Sequence, residues 1–175
     1  MLAAGLSAKP DTGSLMTSRS ATRTQTVPPP PRPHPPQPEL AAWPLRASLY
    51  LGALPTAPGC GRAWTRQILQ EWDLGHLVDN TTLLVSELTT NAVQASAPIT
   101  GAAIGLWLAS DCERTVILVW DSSPQPPTPA NPGEDTENGR GLLLVDVLSL
   151  QWGWYFPASA SPLGRDGKVS WAILE

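Results

Sequence analysis

Cysteine and histidine are scarce in this 175-residue chain, with two of each. Cys60 and Cys112 cannot build a disulfide scaffold. His34 and His76 lie near neither a cysteine nor each other, so a zinc site of ordinary ligand spacing is excluded. Two unpaired thiols point to a reducing compartment. No apolar run approaches the roughly 18–20 residues that span a bilayer. The N-terminus, MLAAGLSAKPDTGSLMTSRS, lacks the apolar stretch of about 7–15 residues that marks a signal peptide, so a cytoplasmic protein is expected. Positive charge is also short. The chain carries a formal charge of −4, and the basic surplus of its first 39 residues (Lys9, Arg19, Arg23 and Arg32 against Asp11 and Glu39) leaves the remainder more acidic still. Without a basic stripe, a nucleic-acid backbone is not the expected partner.

Proline, by contrast, is abundant: 20 residues, about twice the usual share of roughly 5%. Eight of them lie in the run PPPPRPHPPQP (28–38) and five between Pro124 and Pro132. The first cluster reads as stiff, extended polyproline II without the backbone donors a sheet or helix needs. Residues 1–42 are therefore expected to be a disordered, proline-rich extension, and residues 43–175 a single folded domain large enough to bury a core.

Within that domain, ASLYLGAL (47–54) predicts a strand ended by Pro55 and Pro58. Helical spacing of Ala63, Trp64, Gln67, Ile68, Glu71 and Trp72 predicts a helix over 59–74 that Gly75 stops. A second helix is expected over 77–95, with Asp79 as N-cap or first-turn acid and a stripe of Leu84, Leu88, Ala92 and Ala95. Residues 102–110 and 115–121 predict a hairpin turning through Asp111-Cys112-Glu113-Arg114. A long polar loop (122–138), a helix over GRGLLLVDVLSL (139–150) and two strands (152–156, 168–174) complete the order. Such an order predicts an α+β two-layer sandwich, with helices on one face of a mixed, mostly antiparallel sheet.

Three segments carry chemistry. Glu87 and Asn91 stand one helical turn apart among Leu83, Leu84, Val85 and Leu88, where an acid and an amide need partners or a ligand. They could equally form the polar edge of an ordinary helix. Asp121 ends an apolar strand, placed to accept from an exocyclic amine or simply to start a turn. Gly139-Arg140-Gly141-Leu142 opens a helix whose free N–H groups suit phosphate, though glycine-rich turns into helices are common without one.

Three stretches, taken in order, resemble the motifs of the GHKL, or Bergerat-fold, ATPases: ELTTNAVQAS (87–96), Asp121-Ser122-Ser123-Pro124-Gln125-Pro126-Pro127, and GRGLLLV (139–145). The nearest likeness is to the anti-sigma-factor serine/threonine kinase-like branch common in actinobacteria. Trp152-Gly153 and the strand GKVSWA (167–172) also match its pattern. The resemblance covers roughly residues 43–175. It implies ATP and Mg²⁺ as cofactors, with Asn91 as the magnesium-coordinating amide and Glu87 as the base that deprotonates an acceptor hydroxyl. Asp121 would receive the adenine amine, and residues 122–138 would be a lid over the nucleotide. Gly139, Arg140 and Gly141 would lie near the phosphates and Leu142 under the nucleotide. The implied activity is phosphorylation of an anti-sigma-factor antagonist. A sigma factor is a further implied partner, a homodimer the implied assembly, and neither nucleic acid nor membrane is expected to bind. Gln94-Ala95 stand where this family usually has Arg-His, and the lid holds no Lys or Arg before Arg140. These departures keep open an alternative: a nucleotide-binding interaction module without useful kinase activity.

Overall fold

A computed structural model describes residues 38–127, 140–157 and 167–175. Strands β1 (Leu45–Gly52), β2 (Ala103–Ser110), β3 (Thr115–Asp121), β4 (Gln151–Tyr155) and β5 (Lys168–Leu174) form one sheet in the order β1-β2-β3-β5-β4. Every pairing among these strands is antiparallel, so the expected mixed character is absent from this sheet. Helices α1 (Ala57–Glu71), α2 (Val78–Ser96) and α3 (Arg140–Leu148) make the second layer. The architecture is thus an α+β two-layer sandwich with its helices on one face. No described helix is long and apolar enough to cross a membrane.

Local chemistry sets the helix ends, at two places differently from the sequence expectation. Pro58 lies in the first turn of α1 rather than ending the preceding strand. Its missing N–H falls where a helix has no acceptor for one, so proline is welcome there. At the other end, Asp73 rather than Gly75 turns the chain. It adopts φ 58°, its N–H donates to the Gln70 carbonyl, and the Leu74 N–H reaches back to Leu69. That paired closure is the Schellman arrangement, here with aspartate in the position glycine usually takes. Asp79 sits in the first turn of α2 as an acid near the positive end of the helix, and the N-cap position falls to Leu77.

Strand alternation sorts the side chains to two sides. Ile104, Leu106, Leu108, Ile117, Val119, Ala172 and Leu174 point toward the helices. They meet Leu69 of α1, Leu84, Val85, Leu88 and Ala92 of α2, and Val145 of α3. Each fully buried aliphatic side chain contributes about 1.5–3 kcal/mol. Helix α2 is the middle helix: it packs on α1, on α3 and over the central strands.

The opposite side of the sheet has no described α-helix, and tryptophan does much of the covering. Trp43, Val116, Leu118, Trp120, Val169 and Trp171 form a second buried cluster, with Trp107, Tyr155 and Ile173 at its margin. The rings lie over glycines of the sheet. A Cβ on Gly105 would overlap the Trp107 ring, and one on Gly153 would come within 3.1 Å of Trp171. At the β2–β3 turn, the Asp111 carboxylate accepts from the Glu113 and Arg114 N–H groups and from the Arg114 guanidinium. Cys112 takes φ 78° there.

Candidate functional site

Helix α2 turns its apolar stripe toward the sheet, which leaves Glu87 and Asn91 on its flank, half-buried and facing α3. The approach is close because residue 141 is glycine. A Cβ there would stand 2.7 Å from Glu87 Oε2 and 3.7 Å from both polar atoms of the Asn91 amide. Gly141 therefore leaves a cradle between α2 and α3, lined by a carboxylate and an amide. Asn91 Nδ2 is buried in it without a hydrogen-bond partner among the described residues. A buried amide donor left unpaired costs about 1–3 kcal/mol, so it marks a place where a ligand acceptor would be welcome.

Asp121 ends the fully buried strand β3, on its helix-facing side. Across the ladder its register partner is Lys168, the first residue of β5. The two form a buried ion pair, Lys168 Nζ to Asp121 Oδ1 at 2.8 Å, with side-chain exposures of 4% and 1%. The Ser123 N–H donates to the same oxygen at 2.9 Å. Burial pushes the Asp121 carboxyl above its ordinary range, while the ammonium and the Ser123 N–H pull it down, and burial wins. Desolvating both charges is expensive, so the pair adds little net stability, yet removing one partner alone costs about 3–5 kcal/mol.

These elements enclose a cavity of about 380 Å³. Asn91, Gln94 and Ala95 of α2 form one wall, Asp121, Lys168 and Ser170 of the sheet another, and Leu142 of α3 a third. Ser123, Gln125, Pro126 and Pro127 border it from the start of the proline-rich loop, and Pro98 from the end of α2. Three of the sequence-chosen residues, Asn91, Asp121 and Leu142, thus line one cavity, with Glu87 and Gly141 meeting at Asn91.

No family profile matches the chain, and no curated protein matches it either. Solved structures do. One is the crystal structure of the RsbU and RsbW domains of Rv1364c from Mycobacterium tuberculosis, 18% identical, with a TM-score of 0.49 over 74% of this chain. The match spans 32% of that longer chain.

Gly139 and loop residues 128–138 lie outside the described residues, as does the side chain of Arg140, whose backbone opens α3. Of the expected extension, 1–42, residues 1–37 lie outside them as well. Within 38–42, which the expected extension also included, residues 40–42 form a short 3₁₀ turn and Leu40 packs on the second cluster. Lys168 is the site residue that motif reading passes over, since it stands only as a letter in the last-strand pattern. Its signal was a lone lysine opening the apolar run KVSWAIL. Ser170 follows it on the same face by strand alternation.

A divalent cation can be tested against these groups. Among the described residues no three carboxylate, histidine or cysteine groups cluster to hold a metal. Magnesium seldom asks for such a cage, since it is commonly held by one or two protein oxygens together with phosphate oxygens and water. The Asn91 amide beside a cradle without a Cβ fits that demand.

Proposed function

We propose that this domain binds Mg²⁺ and an adenine nucleotide in the cavity between α2, α3 and the Asp121–Lys168 end of the β3–β5 ladder, and acts as a cytoplasmic regulator of the anti-sigma-factor kinase type. One observation carries the reading. Asn91, Asp121 and Leu142 lie 21 to 51 positions apart in the chain, and α2, β3 and α3 bring them to one cavity. In this reading the Asn91 amide oxygen holds the metal and its unpaired Nδ2 donates to a phosphate oxygen. Asp121 accepts from the base, and Leu142 lies against the nucleotide. The backbone at Gly139, Arg140 and Gly141 serves the phosphates.

Bound MgATP supplies an electrophilic γ-phosphorus and a neutralised leaving group. Glu87 takes the proton of an acceptor serine or threonine hydroxyl on a small anti-sigma-factor antagonist. Its half-buried carboxylate faces the Gly141 cradle next to Asn91, and so next to the metal position. A general base must reach the proton it removes, and this placement supports that role. A sigma factor is the second partner of the proposal, and a homodimer its assembly.

Calorimetry with ATP, with and without Mg²⁺, tests binding; labelled ATP with a purified antagonist tests transfer. Glu87→Ala should abolish transfer and keep ATP binding. Absence of binding by the wild-type chain would refute the proposal. A second reading, a nucleotide-binding interaction module without useful transfer, draws on Gln94 and Ala95 in the cavity wall at the positions of the usual Arg-His pair. ATP binding without transfer to any antagonist would favour it.

A further inference from the structure

The Asp121–Lys168 pair goes further than the motifs, provided the cavity takes a nucleotide. An ammonium has three N–H donors and no acceptor. One donor of Lys168 goes to Asp121 Oδ1, its hydrogen bond among the described residues. Two donors remain on a side chain that lines the cavity. Asp121 is used on one side only. Its Oδ1 takes both Lys168 and the Ser123 N–H, while Oδ2 has no hydrogen bond among the described residues. The cavity therefore presents an acceptor, Asp121 Oδ2, directly beside a donor, Lys168 Nζ.

This placement is fixed by the sheet. Asp121 and Lys168 are register partners, and Gly167 brings the chain into β5 hard against the end of β3. Gly167 has φ 140°, and a Cβ there would overlap the Asp121 carbonyl oxygen and stand 2.7 Å from Trp120 Nε1. A buried lysine in such a place is costly. A well-packed apolar residue at the same position is often neutral or more stable, so the charge calls for a reason outside stability.

A neighbouring donor and acceptor on a ligand match this pair. The adenine edge offers them as its exocyclic amine and the adjacent ring nitrogen N1. We infer that Lys168 is a specificity-determining residue that reads the base together with Asp121. Asp121 Oδ2 accepts from the amine, and Lys168 Nζ donates to N1.

The test compares ATP with 1-deaza-ATP, in which a CH replaces N1 and the amine is kept, by calorimetry on the full chain. The wild type should bind the deaza analogue about 10-fold or more weaker than ATP, the scale of a hydrogen bond to a charged donor. Lys168→Met should bind both equally weakly. Lys168→Gln, which keeps an N–H donor, should recover part of the discrimination, and it serves if the methionine variant fails to fold. An equal penalty in wild type and variants, or no penalty in the wild type, overturns the inference and leaves the nucleotide reading standing. No ATP binding by the wild type overturns both.

Discussion

Gly141→Ala separates what the cradle does for binding from what it does for folding. The added Cβ would meet Glu87 Oε2 at 2.7 Å, well inside the 3.4 Å at which ordinary van der Waals contact begins. The Asn91 amide atoms, at 3.7 Å, are already in ordinary contact range and need not move. The carboxylate is the far end of a flexible side chain, so it can retreat at small cost. Alanine is also the better helix former, by up to about 1 kcal/mol in a helix interior and less in the first turn where residue 141 lies. Stability by urea unfolding should therefore stay within about 1 kcal/mol of wild type. The ligand-side consequence is larger. A methyl group would occupy the gap between α2 and α3, and the displaced carboxylate would leave its place beside Asn91. Mg²⁺-dependent ATP affinity should fall at least about 10-fold, the equivalent of one charge-assisted hydrogen bond. Calorimetry and unfolding on the same preparation decide the matter. Unchanged affinity would refute the cradle argument. A stability loss well beyond about 2 kcal/mol would show that the α2–α3 approach, rather than a ligand, is what glycine serves.

Other perturbations have equally definite signs. Asn91→Ala removes a buried donor that has no partner among the described residues, so the melting temperature should hold or rise while Mg²⁺-dependent nucleotide binding is lost; a fall of several degrees would mean the amide is structural. Asp121 should titrate above 3.8 in a ¹³C-carboxyl NMR experiment, and Lys168→Met should move the midpoint further up by removing the opposing ammonium; a downward move would contradict the balance described above. The folded chain holds that proton longer than the unfolded chain does. The contribution of Asp121 to stability therefore declines as pH rises from 3.8 through the raised value, a slope absent in Asp121→Asn. Asp111→Ala should cost about 1 kcal/mol in urea unfolding, because it frees two turn N–H groups that its carboxylate accepts; no change would show that the turn closes without it.

The α2 stripe and the hairpin could be read from the chain because periodicity and burial agree there. Leu84, Leu88 and Ala92 recur at helical spacing and pack where that spacing puts them. Thr115–Asp121 is apolar enough to be central, and every one of its residues is buried. Helix ends were harder, since they turn on one residue's backbone. Asp73 accepts a left-handed conformation more readily than most residues, and it closes α1 two positions before the obvious glycine. Lys168 was out of reach for another reason. Its role depends on a partner 47 positions away, and only the β3–β5 register, which no local pattern encodes, puts the two side chains opposite each other. The glycines under Trp107 and Trp171 are similar: a small residue acquires its purpose from a ring that strand pairing lays over it.

The two-sided burial of β3 has a consequence for how the cavity comes into being. Sliding this strand by one residue would turn Asp121 to the tryptophan side and Trp120 to the helix side, at the cost of both apolar clusters at once. Asp121 and Lys168 therefore meet only when the whole sheet is in register, and local opening cannot free one without unmaking the other. Amide protons of β3 and of the facing β5 should exchange with solvent only through global unfolding, at the slowest rates in the chain. The Asp121–Lys168 pair is in this sense assembled by the folding transition itself, present in full or not at all.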